Sequence, residues 1–160
     1  MAWATSQLIF QPPLTRLFGR GFSFEIPSGW ECFRERTRTD CLKVADEAEN
    51  AYLVALVLTA RDGSDPTAGW LEQLRLPFTK QAEGTEIKST IVHAGTSSID
   101  GHEWVDGTHD NMIAIGKRSR VLATTNGMHM IVIVLSCAFD SCDSVQPTFQ
   151  TIVRSINVSP

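Results

Sequence analysis

Residues 102–110, HEWVDGTHD, gather His102, Glu103, Asp106, His109 and Asp110, side chains that can ligate a divalent metal or move protons. A zinc-protease helix would need a histidine at position 106, where the chain has Asp106, and Gly107 disfavours a helix there. Read as a strand, the stretch sends His102, Trp104 and Asp106 to one face and Glu103, Val105 and Gly107 to the other, which divides the ligands. The competing reading is a solvated strand and turn. A metal site would rest on His102, Asp106 and His109; no cofactor is otherwise implied.

Nucleophilic chemistry has less support. The four cysteines form two local pairs, Cys32 with Cys41 and Cys137 with Cys142, and neither has zinc spacing. If 30–36 and 40–46 are hairpin strands, Cys32 lies opposite Cys41, within reach of a disulfide. The preferred alternative keeps all four as buried thiols of a cytosolic protein. His129, beside a hairpin turn and opposite Thr124, is expected exposed or capped. The carboxylates Asp46 and Glu47, and Asp140 and Asp143, fall at connections, and no glycine-rich phosphate loop occurs.

Lys117, Arg118 and Arg120 form a basic cluster in which both arginines alternate onto the face carrying Leu122, Ile131, Ile133 and Leu135. Their stems could cover the edge of a core while the guanidinium groups reach water or a carboxylate. Alternatively they rim a groove that binds a partner, a chemistry favoured at protein interfaces. Trp70 and Trp104 pose the same choice between core anchor and interface anchor.

These residues need elements to position them. In 121–135, VLATTNGMHMIVIVL, Asn126 and Gly127 separate two apolar runs and fit a two-residue hairpin turn, pairing 121–125 with 128–132 and setting Val121 opposite Val132. That hairpin is apolar on both faces, so it belongs at the centre of a covered sheet. Phe22, Phe24 and Ile26 alternate in a strand; 41–45 and 51–58 read as strands; 87–99 and 102–109 pair about Asp100 and Gly101. Asp65, Pro66 and the spacing of Trp70, Leu71, Leu74 and Phe78 predict a helix, bent or shortened by Pro77 and stopped by Gly84. A second helix begins at an Asp143 cap paired with Gln146 and carries the stripe Val145, Phe149, Ile152, Val153 and Ile156. The expected core includes Phe22, Phe24, Val54, Leu56, Leu122, Ile131, Ile133, Phe149 and Ile152.

At 160 residues the chain suits one domain, with 1–20 as an arm outside the sheet and 21–158 as the folded unit. Its net charge of −4 argues against nucleic acid or an anionic membrane as partner. No apolar run is long enough to span a bilayer, and the N-terminus lacks a signal-peptide pattern. The chain as read is soluble and cytoplasmic; a signal removed upstream would place it outside. Two one-faced helices and an antiparallel sheet give an α+β fold, an α/β/α sandwich with helices on both faces.

GFSFEIPSGW, IDGHEW, the hairpin around TTNG and the closing PTFQTIVRSI resemble the PsbP-like fold family over residues 21–158. That family includes an extrinsic photosystem subunit, a Ran-binding import factor and uncharacterised bacterial domains. The resemblance implies a non-enzymatic accessory or adaptor domain that binds another protein and carries over no site residue; the residues' own chemistry makes a sheet face or edge with Arg118, Arg120, Trp70 and Trp104 the expected contact surface. The alternative is a metal- or ligand-binding domain or enzyme built on the His102–His109 segment.

Overall fold

The computed structural model describes residues 14–19, 21–27, 30–36, 40–45, 51–59, 66–126 and 129–159, with 31–36, 40–45, 56–59 and 66–68 described through their backbone. Chain order runs β1 (Leu14–Gly19), β2 (Phe22–Pro27), β3 (Glu31–Arg36), β4 (Asp40–Ala45), β5 (Ala51–Thr59), α1 (Pro66–Leu74), β6 (Thr79–Ala82), β7 (Thr85–Lys88), β8 (Thr90–Ile99), β9 (His102–Asp110), β10 (Lys117–Asn126), β11 (His129–Ala138), α2 (Cys142–Ser155) and β12 (Asn157–Val158). Among the described residues the main sheet is antiparallel and seven-stranded, ordered β3-β4-β5-β11-β10-β9-β8. A smaller sheet, β1-β2-β12, and the hairpin β6-β7 complete it.

The strands with apolar residues on both faces lie at the centre, since only there are both faces removed from water. On one face, Leu53, Leu122, Ile131, Ile133 and Leu135 pack with Phe22 and Phe24 of β2 and with Phe149 and Ile152 of α2. On the other, Val121, Ala123, Val132 and Val134 pack with Leu74 of α1, and Trp70 and Leu71 lie against them half-buried. The sheet dominates the architecture and the helices are short. Of the expected core, Val54 is half-buried against the second cluster, and the Leu56 side chain lies outside the described residues.

Several sequence expectations are displaced. Val121 stands opposite Val134 rather than Val132, and the ladder closes at Asn126↔His129. The hairpin connection is therefore 127–128, outside the described residues, and His129 faces Asn126 rather than Thr124. Asn126 stays in the strand because its amide donates to the Gly21 and Ser159 carbonyls. The shift preserves which residues share a face. Residues 14–19, assigned to an arm outside the sheet, pair along β2 as β1.

Helix α1 ends at Leu74, before Pro77, so Phe78 lies outside it. Gly84 does not stop a helix; with Glu83 it turns the β6-β7 hairpin in the left-handed region, φ 77° and 50°. Asp100 and Gly101 do the same between β8 and β9, as their sequence predicted.

The cysteines also differ from expectation. In the β3-β4 register Cys32 faces Val44 and Cys41 faces Glu35, so the two do not stand opposite each other. Cys137 and Cys142 are joined by a disulfide, which corrects their reading as free thiols. The bond links the end of β11 to the start of α2, and the helix begins at Cys142 with Ser141 in the N-cap position rather than at an Asp143 cap. Asp143 instead occupies the first turn, where its charge favours the helix N-terminus. Among the described residues no helix is long and apolar enough to cross a membrane.

Candidate functional site

Arg118, Arg120 and Leu122 alternate onto the β10 face that lies under α2, as strand periodicity requires. Antiparallel pairing aligns His93 of β8, Thr108 of β9, Arg120 of β10 and Leu135 of β11 in one row. A bulge at Val92 decides the first member, because it sets His93 opposite Thr108. The next row places Asp110, Arg118 and Cys137 side by side. Gln146 and Phe149 of α2 form the facing wall, and the disulfide at Cys137 anchors that helix. The space between is a cleft of about 280 Å³.

The arginines are held by carboxylates. Arg118 donates through Nε and Nη2 to both oxygens of Asp110, at 2.7 and 3.1 Å. Arg120 donates in the same way to Asp106, at 2.9 and 2.7 Å, and Asp106 also accepts from the Ser97 hydroxyl at 2.6 Å. The Asp106 side chain is 5% exposed. Burial alone would raise its pKa; the hydrogen bonds from Arg120 and Ser97, with the charges of Arg120 and His93, outweigh burial and hold it below the ordinary value. The Asp110 hydrogen bond, against a smaller effect of burial, raises the pKa of Arg118 further.

The residues considered for a metal are dispersed. His109 is fully buried on the α1 face: Nε2 donates to the Leu74 carbonyl at 2.6 Å, and Nδ1 meets the Ser89 hydroxyl at 2.8 Å. The same hydroxyl accepts from the Phe78 amide, so the ring closes the end of α1 onto the sheet. His102 donates from Nδ1 to the Asp100 carbonyl at the β8-β9 turn, and Asp106 is committed to Arg120. Among the described residues no three histidine, cysteine or acidic side chains converge as a metal site.

Trp104 is fully buried and donates from Nε1 to the Ile99 carbonyl, so it is a core anchor and no surface contact. Trp70 is half-buried on α1. A second surface lies at the sheet edge. Strand β8 ends the seven-stranded order, and Ile91 and Val92 at its start are 36% and 49% exposed. Ile91 pairs with His109 near the end of β9; beyond that end the connection to β10 exposes Ile113 and Ile115. Phe139, also exposed, donates its amide to the Gly116 carbonyl and so joins the same end of the sheet.

Cyanobacterial PsbP (CyanoP) from Synechocystis matches this architecture with a TM-score of 0.63 at 16% identity, over 98% of this chain and 98% of that one. The fold is PsbP-like. The Ran-binding protein Mog1p of Saccharomyces cerevisiae matches with a TM-score of 0.55 at 16% identity, covering 91% of this chain and 94% of its own. LpqN of Mycobacterium tuberculosis, described as involved in cell envelope biogenesis, gives 0.53 at 15% identity, over 92% and 91%. No protein-family model and no curated protein matches the sequence. Identities this low carry the fold alone.

Within this PsbP-like frame, sequence reasoning singled out Arg118 and Arg120 and found their face. It missed Thr108, His93 and Ser97, and it did not pair the arginines with Asp106 and Asp110. Alternation could have placed Asp106 and Asp110 on one face of β9, since both share the parity of Trp104. The order of strands across the sheet has no local signal.

Proposed function

We propose that this chain is a non-enzymatic accessory or adaptor domain that binds another protein by adding a strand of that partner to the outer edge of β8. The observation that carries this reading is the edge itself. β8 runs from Thr90 to Ile99, borders no further strand among the described residues, and begins with exposed Ile91 and Val92. Such an edge offers backbone donors and acceptors to an incoming strand, with apolar side chains beside them. Ile113, Ile115 and Phe139 extend the apolar surface at that end. A neighbour of the same fold described as Ran-binding supports a protein as the partner class.

In this reading Arg118 and Arg120 stand behind the edge, and Trp70, on the helix packed against β8 and β9, flanks it. The unit is taken as 21–158 with β1 of the arm added to its smaller sheet. The two hydrophobic clusters, one holding α2 and one α1, support the α/β/α sandwich. The net charge of −4 supports a partner other than nucleic acid. A disulfide persists in an oxidising compartment, which favours a location outside the reducing cytosol.

The test is cross-linking of the purified protein in an extract of its source, followed by identification of the partner and a binding titration. Val92→Glu with Ile115→Glu should weaken that partner at least roughly tenfold while leaving the circular dichroism spectrum unchanged. Equal binding by the folded double variant would reject the β8 edge.

A further inference from the structure

We propose that the cleft between α2 and the sheet binds a small organic carboxylate through the unused outer edges of the Arg118 and Arg120 guanidinium groups. Each arginine spends Nε and Nη2 on its aspartate. A guanidinium engaged on that side still presents a second planar fork, Nη1–H with the remaining Nη2–H, matched in spacing to a carboxylate. Among the described residues, Nη1 of neither arginine has a hydrogen-bond partner. Thr108 lies beside Arg120 in the row, and its hydroxyl likewise makes no hydrogen bond among those residues. His93, exposed at the strand edge, completes the polar side of the cleft.

The charge balance selects the ligand. Asp106 and Asp110 already offset the two guanidinium charges, so the cleft supplies directed N–H donors with little net charge. A planar monoanion fits that field better than a phosphate dianion, which needs uncompensated positive charge. Leu135, the Cys137 half-cystine and Phe149 supply an apolar wall for the body of the acid. The volume of about 280 Å³ is at the small end for ligand pockets, which suits an aromatic or short aliphatic acid. The ion pairs also hold the arginines in place before any ligand arrives, which lowers the ordering cost of binding.

The cleft opens on the α2 face of the sheet and meets β8 at His93, whereas the partner strand is placed along the outer edge of β8, so the two readings are told apart by their variants: Arg118 and Thr108 for the acid, Val92 and Ile115 for the partner. The experiment titrates the full chain with benzoate, with benzamide as its neutral isostere, and with inorganic phosphate, followed by calorimetry and backbone amide resonances. Benzoate should saturate, with resonance shifts confined to the cleft-lining stretches of β8 (at His93), β9, β10, β11 and α2, and benzamide and phosphate should each bind at least roughly tenfold more weakly.

Arg118→Gln and Thr108→Val leave the buried Arg120–Asp106 pair intact, and each should weaken benzoate by roughly tenfold. Arg118→Lys, which keeps the charge but loses the fork, should weaken it similarly and substitutes for the glutamine variant should that one fail to fold. No saturation by about 20 mM benzoate overturns the site. Benzamide or phosphate binding as tightly as benzoate overturns the ligand class. Unchanged affinity in the folded Arg118 and Thr108 variants overturns the assigned residues.

Discussion

Arg120 and Asp106 meet where the cleft passes into the core, and the two partners differ sharply in exposure, 33% for the arginine side chain against 5% for the carboxylate. Removing the arginine leaves a buried charge with the Ser97 hydroxyl as its remaining side-chain partner, so Arg120→Ala should cost about 3 kcal/mol in urea unfolding. Arg118 is 40% exposed and its aspartate 21%, so water replaces much of what Arg118→Ala removes, and the cost should stay below about 1 kcal/mol. Equal costs for the two would refute this division. Because the folded-state pKa of Asp106 is depressed below its ordinary value of 3.8, its contribution is fully present above about pH 4 and is lost as pH falls through the lower folded value. The wild-type protein should therefore lose stability below about pH 4 more steeply than Asp106→Asn, measured by urea midpoints across that range.

At the scale of elements, two local devices seat the helices. The Cys137–Cys142 bond closes a loop of sequence separation 5 and ties α2 to the last residues of β11. Reduction should lower stability by about 2 kcal/mol, read as the shift in the denaturation curve on adding dithiothreitol; no shift would mean that packing of Phe149 and Ile152 alone seats the helix. Helix α1 is seated by close approach: a Cβ built at Gly107 would fall 2.9 Å from Leu74 Cδ1 and 3.1 Å from its Cβ. Leu74 is fully buried and its carbonyl holds His109, so it has little room to retreat. Gly107→Ala should cost about 1–3 kcal/mol and speed amide exchange in α1 relative to α2.

On the scale of the whole molecule, the C-terminal strand closes the structure. Val158 of β12 is buried, its amide donates to the Asp100 carboxylate, and the Asn126 amide donates to the Ser159 carbonyl. The β2 strand, the β8-β9 turn and the end of β10 therefore share one anchor. Deleting residues 157–160 should destabilise the protein by about 3 kcal/mol, from one buried valine and the lost hydrogen bonds. A truncated protein with an unchanged melting temperature would show that the anchor is dispensable.

How much of this was legible in the sequence follows from the range of the forces involved. Alternation of Phe22, Phe24 and Ile26, the two-sided apolarity around Leu122 and Ile133, the Asp100-Gly101 turn and the Phe149–Ile152 stripe act within a few residues, so composition and period determined them. The two-residue error at the central hairpin has the same logic in reverse. Asn126 and Gly127 satisfy a turn locally, but carbonyls from Gly21 and Ser159, far away in the chain, hold Asn126 in the strand. The cleft is further from local reach. Which aspartate meets which arginine depends on the order of β8, β9, β10 and β11 and on a single bulge that sets His93, not Val92, opposite Thr108. His109 looks like a ligand in HEWVDGTHD; only the packing of α1 over Gly107 turns it into a buried clasp. Apolar periodicity encodes β2, β5 and β8 to β11, their faces and most of the core residue by residue, but it does not reach β1 or the β6-β7 hairpin, whose short strands carry no sustained alternation. The cleft and the exposed edge have no such local code, because both arise from contacts between strands that the chain brings together on folding.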